Sequence, residues 1–431
     1  MADGALLRRS GEFRSYWSGF TLSMLGSSVS QLAFPLLVLS LGASTTEAGA
    51  LATCLLLLGL VTRLPGGALV DRFDVKRLMI GADLVRCLAL GSIPLAQAFG
   101  VLGYPQLLVV AAVQGVAGSV FGPASSIALR DVVAEADLPE ALGKIQLSTA
   151  TTGLLGPFLG GWLFVQWSML PFLADSASFL ASVLLVGRLR LPYRQPAART
   201  GADGRESALA GVKWMLGQRS LLRALLFAAT FNVIGTGLTL PLVVSLRQAG
   251  ASGTSIGAVT AGLGVGSVLG ALAATRITRL LSPGQLLVLV GFVWSAGFAV
   301  LITVPGPWVT GLVLVAVGLL GPPCSIVVQR AILVLTPRDL MGRVIGAQGL
   351  LLRGLPALGP IAIGAVLQGY GVRSAWLAMT LACLVTTLLT AGPLLRDRTL
   401  ASVSAEPSDQ QDADDDASSA LRPDSAVETG A

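Results

Sequence analysis

The sequence predicts an all-α polytopic membrane protein in which twelve transmembrane helices form two pseudo-symmetric six-helix halves. Of its 431 residues, 53% are hydrophobic and 12% are charged, whereas a soluble domain carries roughly 25% charged residues. The apolar residues form continuous runs, each as long as the α-helix of about 20 residues that crosses a bilayer. Several short sequences also recur about 200 positions apart, which indicates an internal duplication.

Twelve apolar runs account for the predicted helices, and their continuity excludes the alternating pattern of a membrane β-barrel. We predict spans at residues 16–41, 48–70, 78–98, 104–130, 142–166, 169–188, 221–246, 254–276, 284–304, 308–335, 343–368 and 373–395. The first six form an N-terminal half, 16–188, and the last six form a C-terminal half, 221–395. Residues 1–15 precede the bundle, the polar stretch 189–220 links the halves, and the acidic segment 396–431 is expected to be a disordered tail.

Lysine and arginine residues are concentrated on one side of the predicted bundle. The loops on the opposite side carry little positive charge beyond Arg247 and Arg373. Because positively charged loops stay in the cytoplasm, both termini are predicted to be cytoplasmic. The formal net charge of +6 therefore reflects orientation in the membrane and gives no reason to expect a nucleic-acid partner.

The repeated motifs occupy equivalent spans in the two predicted halves. Gly67-Ala68-Leu69 recurs as Gly270-Ala271-Leu272, residues 122–127 recur in similar form as 321–326, and Gly156-Pro157 recurs as Gly359-Pro360. They fall in spans 2 and 8, 4 and 10, and 5 and 11. Repeated halves around a shared central site are typical of secondary transporters, so the duplication predicts transport of a solute.

The sequence contains no histidine, which excludes several kinds of functional site. This absence removes histidine proton relays and most metal sites, and the four cysteines show no CxxC spacing; we predict neither a metal nor a cofactor. A primary pump is disfavoured because no G-x-x-x-x-G-K-[ST] phosphate loop occurs. A membrane-embedded enzyme is disfavoured because most nucleophile–base pairs use histidine. A membrane-embedded sensor or scaffold stays open as an alternative.

The loop after the second span carries a recognisable signature. It reads Gly67-Ala-Leu-Val-Asp71-Arg72-Phe-Asp-Val-Lys76-Arg77. This resembles the pattern G-x-L-x-D-R-x-G-R-[KR] of the major facilitator superfamily, with Asp74 where glycine is commoner. The resemblance implies the major facilitator fold and a conformational-switch role for this loop, in which Asp71 faces the start of the eleventh helix. On the residues alone, the basic side chains also serve as positive-inside anchors.

The fifth span contains Gly156-Pro157-Phe-Leu-Gly160-Gly161. This segment is similar to the antiporter motif of exporters in the same superfamily, whose core is G-P-x-x-G-G. Glycines allow close helix contact and proline bends a helix, so generic tight packing is the alternative explanation. The resemblance implies export.

Further stretches resemble the enterobactin-exporter and macrolide-efflux branch of that superfamily. They are residues 13–17, 172–180, 336–344 and 369–373, and the resemblance spans about 12–398. The branch implies a proton-driven exporter of hydrophobic or siderophore-like compounds in the bacterial inner membrane. One residue departs from the pattern: Ala111 stands where many drug–proton antiporters carry an arginine, three residues before Gln114-Gly115, so the coupling residues cannot be transferred from the family.

Ionisable residues inside the predicted spans are candidates for proton coupling, because each costs roughly 2.5–3.5 kcal/mol on insertion. Asp83 and Arg86 lie three residues apart on one face of the third span. A structural ion pair and a protonation site both explain them. Asp175, in the sixth span, is either a structural cap or a second proton site.

Two arginines and several amides are candidates for lining the substrate cavity. Arg63 and Arg353 lie on the second and eleventh spans at similar depth, with no carboxylate predicted opposite. They indicate an anionic or carbonyl-rich substrate, or else snorkelling and a gate contact to Asp71. The amide candidates are Gln31, Gln114, Gln146, Asn232 and Gln348; each is also explained as a helix–helix hydrogen bond.

The sequence thus predicts a secondary transporter, most simply a proton-driven exporter of a hydrophobic, siderophore-like or antibiotic-like molecule. Its expected partners are a small-molecule substrate, protons and the lipid bilayer, and it is expected to be a monomer. An importer or a lipid flippase of the same fold remains an alternative.

Overall fold

The computed structural model describes residues 10–63, 69–70, 72–191, 213–304, 306–337 and 340–396, and in these segments the chain is helical with no β-strand. Residues 1–9 of the predicted N-terminal segment, most of the linker and residues 397–431 of the acidic tail lie outside the described residues, and the first helix begins at Gly11, five residues before the predicted span. Both predicted halves are present as helical bundles.

The N-terminal half contains six helices joined by short loops. They are α1 (Gly11–Ser40), α2 (Thr45–Val61), α3 (Val75–Ala98), α4 (Tyr104–Val132), α5 (Leu138–Gln166) and α6 (Leu170–Gly187). A 3-10 turn, Glu135–Asp137, precedes α5.

The C-terminal half has a more interrupted helix pattern. Its α-helices are α7 (Arg219–Gly237), α8 (Thr239–Gln248), α9 (Gly253–Leu280), α10 (Pro283–Thr303), α11 (Pro307–Leu335), α12 (Met341–Gly349) and α13 (Gly359–Leu395). A break at Leu238 separates α7 from α8, which together make the seventh crossing.

Serine side chains fix the start of two spans. Ser44 and Glu47 form a capping box at α2: the Ser44 amide donates to Glu47 Oε2 at 2.7 Å, and the Glu47 amide donates to Ser44 Oγ at 3.2 Å. Ser282 and Gln285 form the same motif at α10. These caps satisfy N–H groups that have no partner inside the helix, which allows the connecting loops to be short.

The helix lengths agree with twelve crossings. Nine helical segments of the described chain are long and apolar enough to span a membrane, and α2 is a shorter apolar helix. The helix α5 adds 29 residues, and the 52-residue segment Val344–Leu395 is long enough for two crossings at 1.5 Å per residue.

The chain reverses direction at Gly371, which divides the eleventh crossing from the twelfth. Gly371 has φ +81°, a conformation that glycine adopts without a Cβ penalty. After it, the twelfth crossing packs antiparallel to α10: Trp376 meets Phe298 near one end, and Leu394 lies against Gly284 near the other.

The eleventh crossing, called span 11 below, is not one regular helix, in contrast to the continuous span predicted at 343–368. It runs through α12, a π-helical turn at Leu350–Gly354, a 3-10 turn at Leu355–Leu358 and the part of α13 before Gly371. Pro356 explains part of this irregularity because proline removes a backbone donor. The hydroxyl of Thr236 on α7 donates to the Pro356 carbonyl at 2.7 Å and so satisfies it.

Candidate functional site

The two halves meet along two seams. In the first seam, α2 packs against span 11: Thr45 Oγ1 donates to the Gly364 carbonyl at 3.0 Å, and Thr53 Oγ1 accepts from the Ile361 amide at 3.2 Å. Between these bonds, Gly49 lies against the Pro360 carbonyl so closely that an added Cβ would overlap it. The first seam therefore depends on backbone contact at a glycine.

In the second seam, α5 packs against α9. An added Cβ on Gly161 would overlap the Gly253 carbonyl, and one on Gly257 would overlap the Pro157 carbonyl. Further along, a Cβ on Gly264 would come 2.7 Å from Leu154 Cα. The predicted motif on α5 thus lies in the contact between the halves.

The other motif glycines face α1. Gly156 lies against Ser28, and an added Cβ on Gly160 would come 2.5 Å from the Val29 carbonyl. The motif therefore brings α5 into backbone contact with a helix of its own half and with a helix of the other half.

The two seams are related by the internal repeat. Pro157 presents its carbonyl to Gly257, and the repeated Pro360 presents its carbonyl to Gly49. Gly359 lies against the Val233 carbonyl of α7, just as Gly156 lies against α1. The duplicated Gly-Pro pair makes equivalent contacts in both halves, which agrees with the predicted pseudo-symmetry.

Several of the described contacts between the halves lie at the end of the bundle opposite the chain termini. There, Leu36 of α1 packs into the core of the C-terminal half, and Leu240 of α8 packs into a core of the N-terminal half. Arg247 Nη2 donates to the Leu36 carbonyl at 3.1 Å. At the end that holds the termini, the core around Phe13 and Val75 is built from N-terminal residues alone. The conformation is thus closed at the end opposite the termini.

The predicted switch loop is described only in part, since Gly67 and Asp71 lie outside the described residues. Arg72 and Arg77 are exposed. Lys76 Nζ donates to the Leu189 carbonyl at 2.8 Å, which joins α3 to the end of α6. Asp74 Oδ1 accepts from the Arg77 amide at 2.9 Å and caps α3, so the departure from glycine at this position has a local structural role.

Inside the N-terminal half, two carboxylates share one arginine. Arg86 Nη1 lies 3.6 Å from Asp83 Oδ1, which confirms the predicted pairing, and Asp175 of α6 is close enough to interact electrostatically with Arg86. Both carboxylates are buried. The Arg86 guanidinium lies over the rings of Phe121 and Phe179, 5.6 and 5.1 Å from their centroids. We call Asp83, Arg86 and Asp175 the buried charge cluster.

The buried charge cluster has polar neighbours that sequence reasoning assigned elsewhere or missed. Gln114, predicted to line the cavity, is buried and donates from Nε2 to the Arg86 carbonyl at 3.3 Å. Ser178 Oγ lies 3.3 Å from Asp175 Oδ1, and both Asp83 carboxylate oxygens lack a hydrogen-bond partner among the described residues. The structure thus brings Gln114 against the backbone of the helix that carries Asp83 and Arg86.

The remaining cavity candidates are more accessible. Gln31, Gln146 and Asn232 are exposed, and Gln348 is half-buried. Asn232 Nδ2 donates to the Ala228 carbonyl of its own helix at 2.8 Å.

Arg63 and Arg353 lie on opposite halves at the termini end of the first seam. Both are exposed and close enough for their charges to repel. Beside them, an added Cβ on Gly354 would come 3.2 Å from Leu60 Cδ2, so the two helices touch there. The sequence predicted their similar depth but not the π-helical turn that holds Arg353.

Comparison with known proteins agrees with this architecture. The chain is 28% identical over 396 residues to "Multidrug efflux pump Tap" of Mycolicibacterium fortuitum, with 88% of this chain and 94% of the relative covered. It is 25% identical over 185 residues to "Macrolide efflux protein A" of Streptococcus pyogenes, with 42% and 45% covered.

A solved structure and a family profile extend the comparison. The structure superposes on nucleoside transporter NupG with a TM-score of 0.71 at 14% identity, over 90% of this chain and 100% of that chain, which shows a shared fold. The profile of the Major Facilitator Superfamily matches residues 16–355. With its twelve crossings, paired seams and repeated halves, the chain belongs to the Major Facilitator Superfamily of membrane transporters.

Proposed function

We propose that this protein is a proton-driven exporter that moves hydrophobic or antibiotic-like small molecules out of a bacterial cell by alternating access. The observation that carries the proposal is the buried charge cluster, in which two carboxylates share one arginine. This cluster lies inside the N-terminal half, which packs against the C-terminal half along the two glycine-lined seams. The cluster can take up a proton, and the seams can separate.

The excess carboxylate is the reason to assign proton coupling to this cluster. With both acids ionised, it has one uncompensated negative charge among buried side chains, which is costly in a medium of low dielectric. Uptake of one proton by Asp83 or Asp175 makes the cluster neutral. Since Ala111 replaces the arginine common in related antiporters, Arg86 on α3 supplies the only positive charge at the cluster among the described residues.

One turn of α1 connects the cluster to the second seam. Gly26 lies against Asp175 and Ser178, and two residues later Ser28 lies against Gly156 of the motif. Residues two apart lie on roughly opposite sides of a helix, so this turn of α1 lies between Asp175 on α6 and the motif on α5. A shift of α1 that follows a change in the protonation of Asp175 would therefore be passed on to α5. We propose that this path links the proton to the contact between the halves.

The proposed outward direction of transport rests on the resemblance of the α5 motif to exporters and on the names of two relatives. The motif of Gly156, Pro157, Gly160 and Gly161 is that of exporters, and two relatives are named a multidrug efflux pump and a macrolide efflux protein. We assign the same direction to this chain, with export of an antibiotic-like compound as its contribution to resistance.

We place the protein in the bacterial inner membrane with both termini in the cytoplasm, as the positive-inside rule predicts. In that orientation the described conformation is closed on the external side of the membrane. We further propose that Gly67, Asp71, Arg72, Lys76 and Arg77 stabilise closure of the cytoplasmic end. The exposed Gln31, Gln146 and Asn232, together with Gln348, are proposed to line the path of the solute.

Transport by purified protein in proteoliposomes tests this function. Substrate movement is measured with and without an imposed pH gradient for the wild type, Asp83→Asn and Asp175→Asn. Glu135→Gln is the matched control, because Glu135 is an exposed carboxylate in a 3-10 turn. We expect gradient-driven transport by the wild type and the control, and its loss in both aspartate variants.

The same assay separates the alternatives. Accumulation in the opposite direction identifies an importer, and movement of labelled phospholipid between leaflets identifies a flippase. A sensor or scaffold moves no solute under any gradient, and that result contradicts the proposal.

A further inference from the structure

Arg63 and Arg353 form a pair of like charges that spans the two halves. Arg63 lies two residues beyond the end of α2, at the termini end of the first seam, and Arg353 lies in the π-helical turn of span 11. The Leu60 side chain lies against Gly354, so the two segments are in contact there, and the arginines are close enough for their charges to repel. This arrangement costs free energy unless a negative group lies between the arginines.

The chain provides few acids that could neutralise this pair. Among the described residues, neither arginine takes part in an ion pair or a hydrogen bond. In the sequence of the C-terminal half, 221–395, the one acidic residue is Asp339. It lies fourteen positions before Arg353 in the sequence and outside the described residues. In the N-terminal half, Asp71, the alternative partner given above, lies outside the described residues. A single oxyanion from outside the chain would satisfy both guanidinium groups at once.

The backbone at Arg353 supports a binding role. A π-helical turn is rare and often marks a functional site, and irregular backbone at membrane depth is tolerated where it is buried in protein or lines a cavity. Here the irregular segment is anchored on the other side by the bond from Thr236 to the Pro356 carbonyl. The turn thus holds an exposed arginine in a fixed, widened stretch of helix.

We propose that Arg63 and Arg353 together bind an oxyanion group, a carboxylate, sulfonate or phosphate, of the exported molecule. This inference rests on the proposed export function and specifies the substrate class as anionic amphiphiles. Guanidinium groups suit this role because they donate two parallel hydrogen bonds to an oxyanion. Since the arginines belong to different halves, a bound anion removes their repulsion and draws the halves together at the termini end.

Two probes of matched shape test the proposal. 1-Anilinonaphthalene-8-sulfonate carries one sulfonate, and N-phenyl-1-naphthylamine is its uncharged parent. Export of each is measured by fluorescence in proteoliposomes of phosphatidylcholine for the wild type, Arg63→Gln, Arg353→Gln and Arg353→Lys. Arg373→Gln is the control, because Arg373 is an exposed arginine at the opposite end of the bundle.

We expect the wild type and Arg373→Gln to export both probes. Each glutamine variant should lose about tenfold or more of the sulfonate export, as expected for a lost charge-assisted hydrogen bond, while export of the uncharged probe stays within about twofold. Arg353→Lys should recover part of the sulfonate export because it keeps the charge without the planar fork.

Other outcomes overturn the proposal in distinguishable ways. If the wild type exports only the uncharged probe, or if a glutamine variant loses both probes equally, anion recognition is wrong but the export function stands. If the wild type exports neither probe, the proposed export function is contradicted, and the inference about anion recognition, which rests on it, is contradicted as well. In a second arm, vesicles also contain phosphatidylglycerol. If the arginines change only thermal stability in these vesicles and never sulfonate export, the bound oxyanion belongs to a lipid headgroup.

Discussion

The carbonyl of Pro157 in the N-terminal half lies against Gly257 in the C-terminal half, in a position that an added Cβ on Gly257 would overlap. Because the obstructing atom belongs to the backbone, a side chain cannot rotate away to make room. The second seam therefore packs this closely because residue 257 is glycine, and an added methyl group would force the two helices apart.

Replacing Gly257 with alanine is expected to destabilise the described conformation. Overpacking of this kind costs about 1–3 kcal/mol, which shifts the equilibrium between conformations by roughly 5- to 150-fold. The change should reduce export and lower the thermal unfolding midpoint of the purified protein. Gly153→Ala is the control, since Gly153 lies on α5 with no atom within 4 Å of an added Cβ. Equal effects of the two substitutions would show that helix propensity matters and seam contact does not.

Asp74 offers a second test, on the cap of α3. Because its carboxylate accepts the Arg77 amide at 2.9 Å, Asp74→Ala should cost about 0.5–2 kcal/mol of stability. Asp74→Asn keeps a capping oxygen and should stay near the wild type, as measured by thermal unfolding in detergent. A loss in Asp74→Asn as large as in Asp74→Ala would indicate that the charge itself is required.

The sequence predicted the relation between the halves correctly where glycine and proline residues recur in both. The recurrence of Gly156-Pro157 as Gly359-Pro360 predicted equivalent helices, and the structure gives the two pairs equivalent contacts. The spacing of Asp83 and Arg86 predicted their pairing for a similar reason, since residues three apart share a helix face.

Features that depend on helix rotation or on a distant partner could not be predicted in this way. Gln114 was placed toward the cavity, but α4 is rotated so that its amide reaches the Arg86 carbonyl. The π-helical turn at Leu350–Gly354 has no residue signature besides the nearby Pro356. The bond from Arg247 to the Leu36 carbonyl joins positions in different halves, and one sequence carries no signal for such a pair.

Within the buried charge cluster, Arg86 is expected to matter more for stability than either acid. Arg86→Gln leaves two buried carboxylates without their cation, and breaking a buried pair costs about 3–5 kcal/mol. Asp175→Asn keeps the Asp83–Arg86 pair and should fold almost normally while losing proton-driven transport. The double variant Arg86→Gln with Asp83→Asn should regain part of the lost stability, because one carboxylate is removed together with the arginine. Thermal unfolding midpoints give the order of stability of these variants. A double variant that is less stable than Arg86→Gln alone would contradict this prediction.

The bond across the halves at Arg247 leads to a prediction about conformation. Arg247 Nη2 donates to the Leu36 carbonyl at 3.1 Å, at the end where the halves are closed. A hydrogen bond from a charged donor contributes about 1.5–3 kcal/mol, so Arg247→Gln should favour opening of that end by roughly tenfold or more. Opening is measured as the rate at which a hydrophilic maleimide labels a cysteine introduced at Leu240, in a protein without its native cysteines. Leu240 is buried between the halves and should become accessible.

The control is Arg373→Gln, which removes an exposed arginine at the same end and should leave the labelling rate unchanged. An unchanged labelling rate in Arg247→Gln as well would mean that packing alone holds this end closed.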